Sequence, residues 1–283
     1  MTVNDVVNGF KARLRGAYPA EEVDAMTRVV MEEVLHYTPV DVVIRGDFDV
    51  PDFMAEQIQA VATRLLRHEP LQYILGVARF HGHNFKVTPA TLIPRPETEQ
   101  LVDMVVDELG SRADLRVLDV GTGSGCIAIA LARALRFAQV SAIDISDDAL
   151  AVARENAAAL GVKVNFEQAD ILTLPSPSHP TLDVLVSNPP YVMESERATI
   201  EANVLNYEPA GALFVPDADP LRFYTAIARY AMDALVTGGR LYLEINQQMG
   251  NAMRKLLNSS GFDDIAIVRD HYGNDRFATA THP

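Results

Sequence analysis

From Leu115 onward, short apolar runs alternate with stretches of helical periodicity, and this rhythm restricts the fold of the 283-residue chain more than any other feature. Candidate strands lie at 116–120, 140–145, 163–168, 183–187, 240–245, 264–269 and 276–281. Helical patterns fill the intervals at 125–135, 146–160, 220–235 and 249–259. Alternation of this kind builds a mostly parallel sheet covered on both faces. The last two strands are joined by 270–275 with no helix between them, so they are expected to pair antiparallel. The segment 175–180, rich in proline and serine, reads as a short loop.

The first seventy residues differ. Val6, Val7, Phe10 and Leu14 recur at helical spacing, as do Val23, Met26, Val29, Val30 and Val34. Pro51 opens a third helical segment through Met54, Ile58, Val61 and Leu65, at a first-turn position that tolerates proline. Residues 73–76, 78–80 and 85–87 read as short strands with a turn at Gly82-His83-Asn84, a hairpin linking two domains. Pro94-Arg95-Pro96 then punctuates the chain, and Thr98, Leu101, Val102, Val105 and Leu109 resume a helical rhythm. The expected division is a helical bundle at 1–70, a hairpin linker at 71–93 and an α/β domain at 94–283.

Bulk properties remove several function classes. No apolar run reaches the length of a membrane span, and residues 1–15 carry charges where a secretory leader would be apolar. One cysteine, Cys126, rules out an intrachain disulfide and points to a reducing, cytoplasmic setting. The formal charge of −14, from 24 basic and 38 acidic residues, repels phosphate backbones at long range. Direct nucleic-acid binding is therefore not expected, and a basic protein partner is compatible. The seven histidines lack metal-site spacing, and no metal is expected.

Val117-Leu118-Asp119-Val120 runs into Gly121-Thr122-Gly123-Ser124-Gly125, and a helix begins at once. Glycines let the backbone turn sharply and approach a ligand without Cβ clashes. The spacing G-x-G-x-G is not the dinucleotide G-x-G-x-x-G, and alone it describes any tight strand-to-helix turn. Asp144, ending the next strand, is placed to accept hydrogen bonds from both ribose hydroxyls; its plain alternative is a helix-start residue beside Ser146. Asp170 is placed to meet an adenine amino group, with Ile171 against the ring, or simply to turn the chain. Three such positions at successive strand ends suit an adenosine ligand.

Asn188-Pro189-Pro190-Tyr191 follows the strand at 183–187. A given four-residue string arises by chance in roughly two chains per thousand of this length, so the match outweighs a chance proline turn. An amide nitrogen is a poor nucleophile because its lone pair is delocalised. Asn188 Oδ1 and the Pro189 carbonyl can accept its two N–H groups and favour a nitrogen that becomes positive and tetrahedral. Proline fixes φ, so the loop is rigid in advance, and Tyr191 offers a flat face to the planar group. Together the two sites imply S-adenosylmethionine as methyl donor and a planar amide or amine nitrogen as acceptor.

With these motifs in hand, the chain resembles the release-factor glutamine methyltransferases, the PrmC group. The resemblance rests on Glu69 through Gly76, Leu92 through Glu99, the glycine loop, Asn188 through Tyr191, Tyr207-Glu208-Pro209, Glu244-Ile245, and Asp270 with Gly273, Asp275 and Arg276. It implies a seven-stranded, Rossmann-like class I methyltransferase domain of α/β class, with a small N-terminal helical bundle and a β-hairpin linker. It implies methyl transfer to the glutamine amide in the Gly-Gly-Gln motif of class 1 peptide chain release factors, which the N-terminal bundle would help to grip. Gly121, Thr122, Gly123, Ser124 and Gly125 would bind the cofactor, with Asp144 on the ribose and Ile171 by the adenine. Asn188 would touch both cofactor and glutamine, Pro189, Pro190 and Tyr191 would complete the amide pocket, and Arg95-Pro96-Glu97 would cover the cofactor. Pro220, Asn246 and Met249 depart from the family pattern and are expected to lie away from the chemistry. Alternatives are a glutamine methyltransferase acting on a large-subunit ribosomal protein and an adenine-N6 methyltransferase on nucleic acid. A nicotinamide-dependent oxidoreductase would share the fold but would not explain Asn188 through Tyr191, and a binding protein would need a broken site.

Overall fold

The computed structural model describes residues 1–177 and 181–283; Ser178, His179 and Pro180 of the expected loop lie outside the described residues. The described chain opens with helices α1 (Val3–Leu14), α2 (Ala20–Leu35), α3 (Pro39–Ile44), α4 (Asp52–Leu65) and α5 (Leu71–Leu75). Strands β1 (Val77–Phe80) and β2 (His83–Lys86) follow, then α6 (Pro96–Leu109), β3 (Arg116–Val120) and α7 (Cys126–Ala134). Next come β4 (Gln139–Asp144), α8 (Asp147–Ala159), β5 (Asn165–Gln168), β6 (Leu182–Ser187) and the short β7 (Val192–Met193). The remainder is α9 (Ala202–Tyr207), β8 (Phe214–Val215), α10 (Arg222–Ala234), β9 (Leu235–Glu244), α11 (Gly250–Ser259), β10 (Asp263–Arg269) and β11 (Asp275–Thr281).

These elements form two compact units, Met1–Val77 with Glu201–Tyr207, and Ala78–Ile200 with Glu208–Pro283. The first unit has its own core. Val3, Val6, Phe10 and Leu14 of α1 pack with Val23, Met26, Val30 and Val34 of α2 and Ile58, Val61 and Leu65 of α4. Thr2 caps α1 by accepting from the Asp5 N–H, and Asp5 returns a bond to the Thr2 N–H, satisfying two otherwise free donors. Val29, expected on the apolar stripe of α2, instead faces outward. Pro51 stands just before the first helical residue rather than inside the first turn.

One expected strand is a helix. Residues 73–76 read as extended from their apolar run, yet Leu71–Leu75 is helical. Leu71, Ile74 and Leu75 sit at helical spacing and pack on the bundle core, which decides between the two periods. The hairpin is shorter than expected: β1 and β2 pair across His81-Gly82, and His83 and Asn84 belong to β2.

The second unit holds a seven-stranded sheet in the order β10-β11-β9-β6-β3-β4-β5. Strands β9, β6, β3, β4 and β5 are parallel, and β11 and β10 close the edge antiparallel, as the missing helix between them predicted. Helices cover both faces. Leu101, Val105, Ile127, Ile129 and Leu131 pack against one side of the sheet, Tyr224, Ile227, Ala231, Met253 and Leu257 against the other. Among the described residues no helix is long and apolar enough to cross a membrane.

Candidate active site

The parallel register brings the loops after five strands to one edge of the sheet. Val120 of β3 pairs with Ile143 of β4 on one side and Ser187 of β6 on the other, while Asp144 pairs with Gln168 of β5. Ser187 pairs with Leu243 of β9, so Glu244 also ends there. The Ser187 hydroxyl donates to the Val120 carbonyl at 2.6 Å and ties the two central strand ends together. This is the crevice at the carboxyl ends of the strands where ligands of open α/β sheets bind.

The glycine turn is bonded directly to the end of β4. Gly121 and Thr122 N–H donate to the Ile143 carbonyl at 2.9 and 3.1 Å, and Gly123 N–H donates to Asp144 Oδ2 at 2.8 Å. Gly121 and Gly123 have φ of 74° and 55°, and a Cβ on either would meet nothing within 4 Å among the described residues, so the turn leaves an open cradle. Gly125 differs: a Cβ there would come within 3.0 Å of Ala153 Cβ and Ile129 Cδ1, so this glycine admits close packing of α8 on α7. Asp144 also accepts from Ser146 N–H, and burial pushes its carboxyl above the ordinary range against those backbone bonds. Each Asp144 oxygen keeps a lone pair for a ribose hydroxyl. Asp170 accepts from the Leu172 N–H within the turn after β5, and Ile171 packs with Val120 and Ile143.

Asp119 is a residue the sequence reading passed over. It is fully buried in β3; its Oδ2 accepts from Thr122 Oγ1 at 2.7 Å and Ala128 N–H at 3.2 Å, while Oδ1 has no partner among the described residues. Burial pushes this carboxyl up to about 7. An orphaned buried oxygen beside an open glycine turn fits a ligand that brings a hydrogen-bond donor or a positive charge. The Thr122 hydroxyl donates to Asp119, its N–H donates to the Ile143 carbonyl and its carbonyl accepts from Gly125 N–H, so Thr122 fixes the shape of the turn.

The Asn188 loop is held by a buried chain of side chains. Asn188 Nδ2 faces Thr98 Oγ1 at 3.1 Å, Thr98 Oγ1 faces Glu244 Oε2 at 2.7 Å, and the Tyr191 hydroxyl reaches Glu244 Oε1 at 3.0 Å. Thr98 and Glu244 are buried, and burial raises the Glu244 carboxyl against the two hydroxyl bonds that lower it. Burial and the neighbouring Glu244 charge raise the Tyr191 phenol far above its usual range, so it stays a neutral donor. Asn246 lies nearer the loop than expected. Its Nδ2 donates to the Tyr191 carbonyl at 3.3 Å and to Glu196 Oε2 at 3.0 Å, so this departure from the family pattern supports the loop directly.

The segment before α6 is anchored by Glu208, whose buried carboxylate accepts from Ile93 N–H at 3.1 Å and from Arg95 Nη2 at 2.6 Å. His81 meets Asp103 and His83 accepts from Arg133, as hairpin and surface groups do. Cys126 is buried, its thiol pushed up to about 12 by burial.

Two family models match the chain: the PrmC N-terminal domain over residues 5–76 and a methyltransferase domain over residues 111–257. The release factor glutamine methyltransferase of Bacteroides thetaiotaomicron is 42% identical over 278 residues, covering 98% of this chain and 99% of that protein. The chain belongs to the release factor glutamine methyltransferase family. The protein of the same name from Flavobacterium psychrophilum is 40% identical over 279 residues, covering 98% of each chain. Among solved structures, a Thermus thermophilus 16S rRNA methyltransferase in complex with AdoMet and guanosine aligns with a TM-score of 0.52 at 18% identity, over 73% of this chain and 50% of that one. A methyltransferase from Pyrococcus furiosus aligns with a TM-score of 0.51 at 16% identity, over 77% and 95%. These two likenesses speak to the fold. The seven-stranded class I methyltransferase architecture, and S-adenosylmethionine as its cofactor, follow from the family and the fold together.

Proposed function

We propose that the protein methylates the side-chain amide nitrogen of the glutamine in the Gly-Gly-Gln motif of class 1 peptide chain release factors, in the cytoplasm. The observation that carries this reading is the position of the Asn188 loop, which leaves β6 beside the glycine turn of β3. The name shared by relatives that match along the whole chain supports it. Residues 1–70 are read as the bundle that recognises the factor, 71–93 as the linker and 94–283 as the methyltransferase domain.

When bound, S-adenosylmethionine supplies an electrophilic methyl group on a sulfonium and leaves as S-adenosylhomocysteine. The Gly121–Gly125 backbone would hold it, with Asp144 on the ribose, Asp170 on the adenine amino group and Ile171 against the ring. Asp119 would stabilise its positive end. Asn188 Oδ1 and the Pro189 carbonyl would accept the two amide N–H groups and direct the nitrogen toward the methyl. Held so, the nitrogen would take the methyl group and release one of its two protons to solvent, while the electron pair of the broken S–C bond would stay with the departing thioether. Pro190 and Tyr191 would keep the amide plane fixed, a positioning effect rather than covalent catalysis.

The test offers labelled S-adenosylmethionine with, separately, a release factor, ribosomal proteins and DNA. Label on the Gly-Gly-Gln glutamine, located by peptide mass spectrometry, is the expected result. Label on DNA or a ribosomal protein with none on the factor would overturn the reading.

A further inference from the structure

We propose that Glu244, acting through Thr98, fixes which end of the Asn188 side-chain amide faces the acceptor, and so makes the site select a carboxamide over a carboxylate. The inference rests on the amide-acceptor reading above and assigns its selectivity to residues outside the Asn188–Tyr191 loop.

The argument is one of hydrogen-bond polarity. A carboxylate only accepts. With Glu244 ionised, the form that the Thr98 and Tyr191 hydroxyl bonds and the Arg276 charge favour against burial, Oε2 takes the single proton of the Thr98 hydroxyl and Oε1 takes that of Tyr191. With its proton committed, Thr98 Oγ1 can only accept from its other neighbour. The Asn188 atom facing it must be the nitrogen, as the 3.1 Å contact has it. The carbonyl end, Oδ1, is then the end presented to the acceptor. An outward Oδ1 accepts an N–H from glutamine and repels the acceptor-only carboxylate of glutamate. The outward amine of the opposite rotamer would favour glutamate. Asn188 alone has no such preference, because its two ends are nearly the same size. Burial of Thr98 and Glu244 keeps water from supplying the missing donor or acceptor.

Glu244→Gln tests the chain at its source. The new amide can donate to Thr98, which frees the Thr98 proton for Asn188 Oδ1 and lets the Asn188 amide turn over. Thr98→Val removes the link altogether, and Thr98→Ser restores it. The measurement is the dissociation constant, with S-adenosylhomocysteine present, of a release factor carrying Gly-Gly-Gln and of one carrying Gly-Gly-Glu, alongside turnover on the first. Wild type should favour the glutamine form. In Glu244→Gln and Thr98→Val the preference should narrow by about tenfold or more, with a comparable fall in kcat, and Thr98→Ser should recover both. A merely structural role would weaken both forms alike and leave their ratio unchanged. If Glu244→Gln does not fold, as judged by circular dichroism, the two Thr98 variants decide. An unchanged ratio in Thr98→Val sinks the proposal. Failure of wild type to methylate the factor would instead sink the functional reading beneath it.

Discussion

Asp119 lies within β3, paired with Val186 of β6, and Asn188 directly follows the end of β6, yet the two make opposite demands on the fold. Asp119 is buried with one oxygen unpartnered, and its carboxyl is pushed up to about 7 from an ordinary 3.8. The folded state then holds a proton that the unfolded chain gives up, so stability falls as pH rises from 3.8 toward about 7 and the full penalty applies above it. Asp119→Asn mimics the protonated form. It should raise the melting temperature of the ligand-free protein more at pH 8 than at pH 5, while weakening S-adenosylmethionine binding measured by calorimetry. Equal shifts at the two pH values would show that the carboxyl does not titrate in that window. Asn188→Ala removes a fixed acceptor and should lower kcat by about a hundredfold or more in a methyl-transfer assay, with near-normal turnover counting against its role. Asn188 was legible in the sequence because its loop is contiguous. Asp119 left a local trace, a carboxylate inside an apolar strand. Thr98 and Glu244, 146 residues apart, left none, because only the fold joins them.

At the scale of elements, the glycine turn combines two constraints that a motif cannot separate. Gly121 needs its positive φ but has open space around it, whereas Gly125 has both a positive φ and two carbons within 3.0 Å of a would-be Cβ. Gly121→Ala should cost about 1–2 kcal/mol from backbone strain alone. Gly125→Ala adds overpacking between α7 and α8 and should cost about 2–4 kcal/mol, read from urea unfolding. If the two variants unfold at the same midpoint, the packing account of Gly125 fails. The same distinction explains which elements could be read in advance. The strand at 116–120 was legible to the residue, since buried parallel strands are continuous apolar runs. Residues 71–75 were not, because a short apolar run fits either period until the bundle core selects the helix. The two-residue strands β7 and β8 exist only through their mutual pairing and carry no pattern of their own.

Among the described residues, three apolar cores are built from separate sets of side chains, one from Val3 to Leu65 and one on each face of the sheet. Cofactor contacts, as proposed, belong to the second unit alone, so a ligand should stabilise that unit by linkage. At a free concentration of one hundred times Kd the gain is about 2.7 kcal/mol. Phe10, fully buried in the first core, offers the complementary perturbation. Phe10→Ala should cost that unit about 3–5 kcal/mol. Scanning calorimetry should then show the first unit melting earlier, with the ligand-induced shift of the second unit and the affinity for S-adenosylmethionine unchanged. The KM for the release factor should rise, since the first unit is the proposed grip on that substrate. A loss of cofactor affinity in Phe10→Ala would place part of the cofactor site's support in the first core. An unchanged KM for the factor, with the first unit already melted, would remove that unit from substrate recognition.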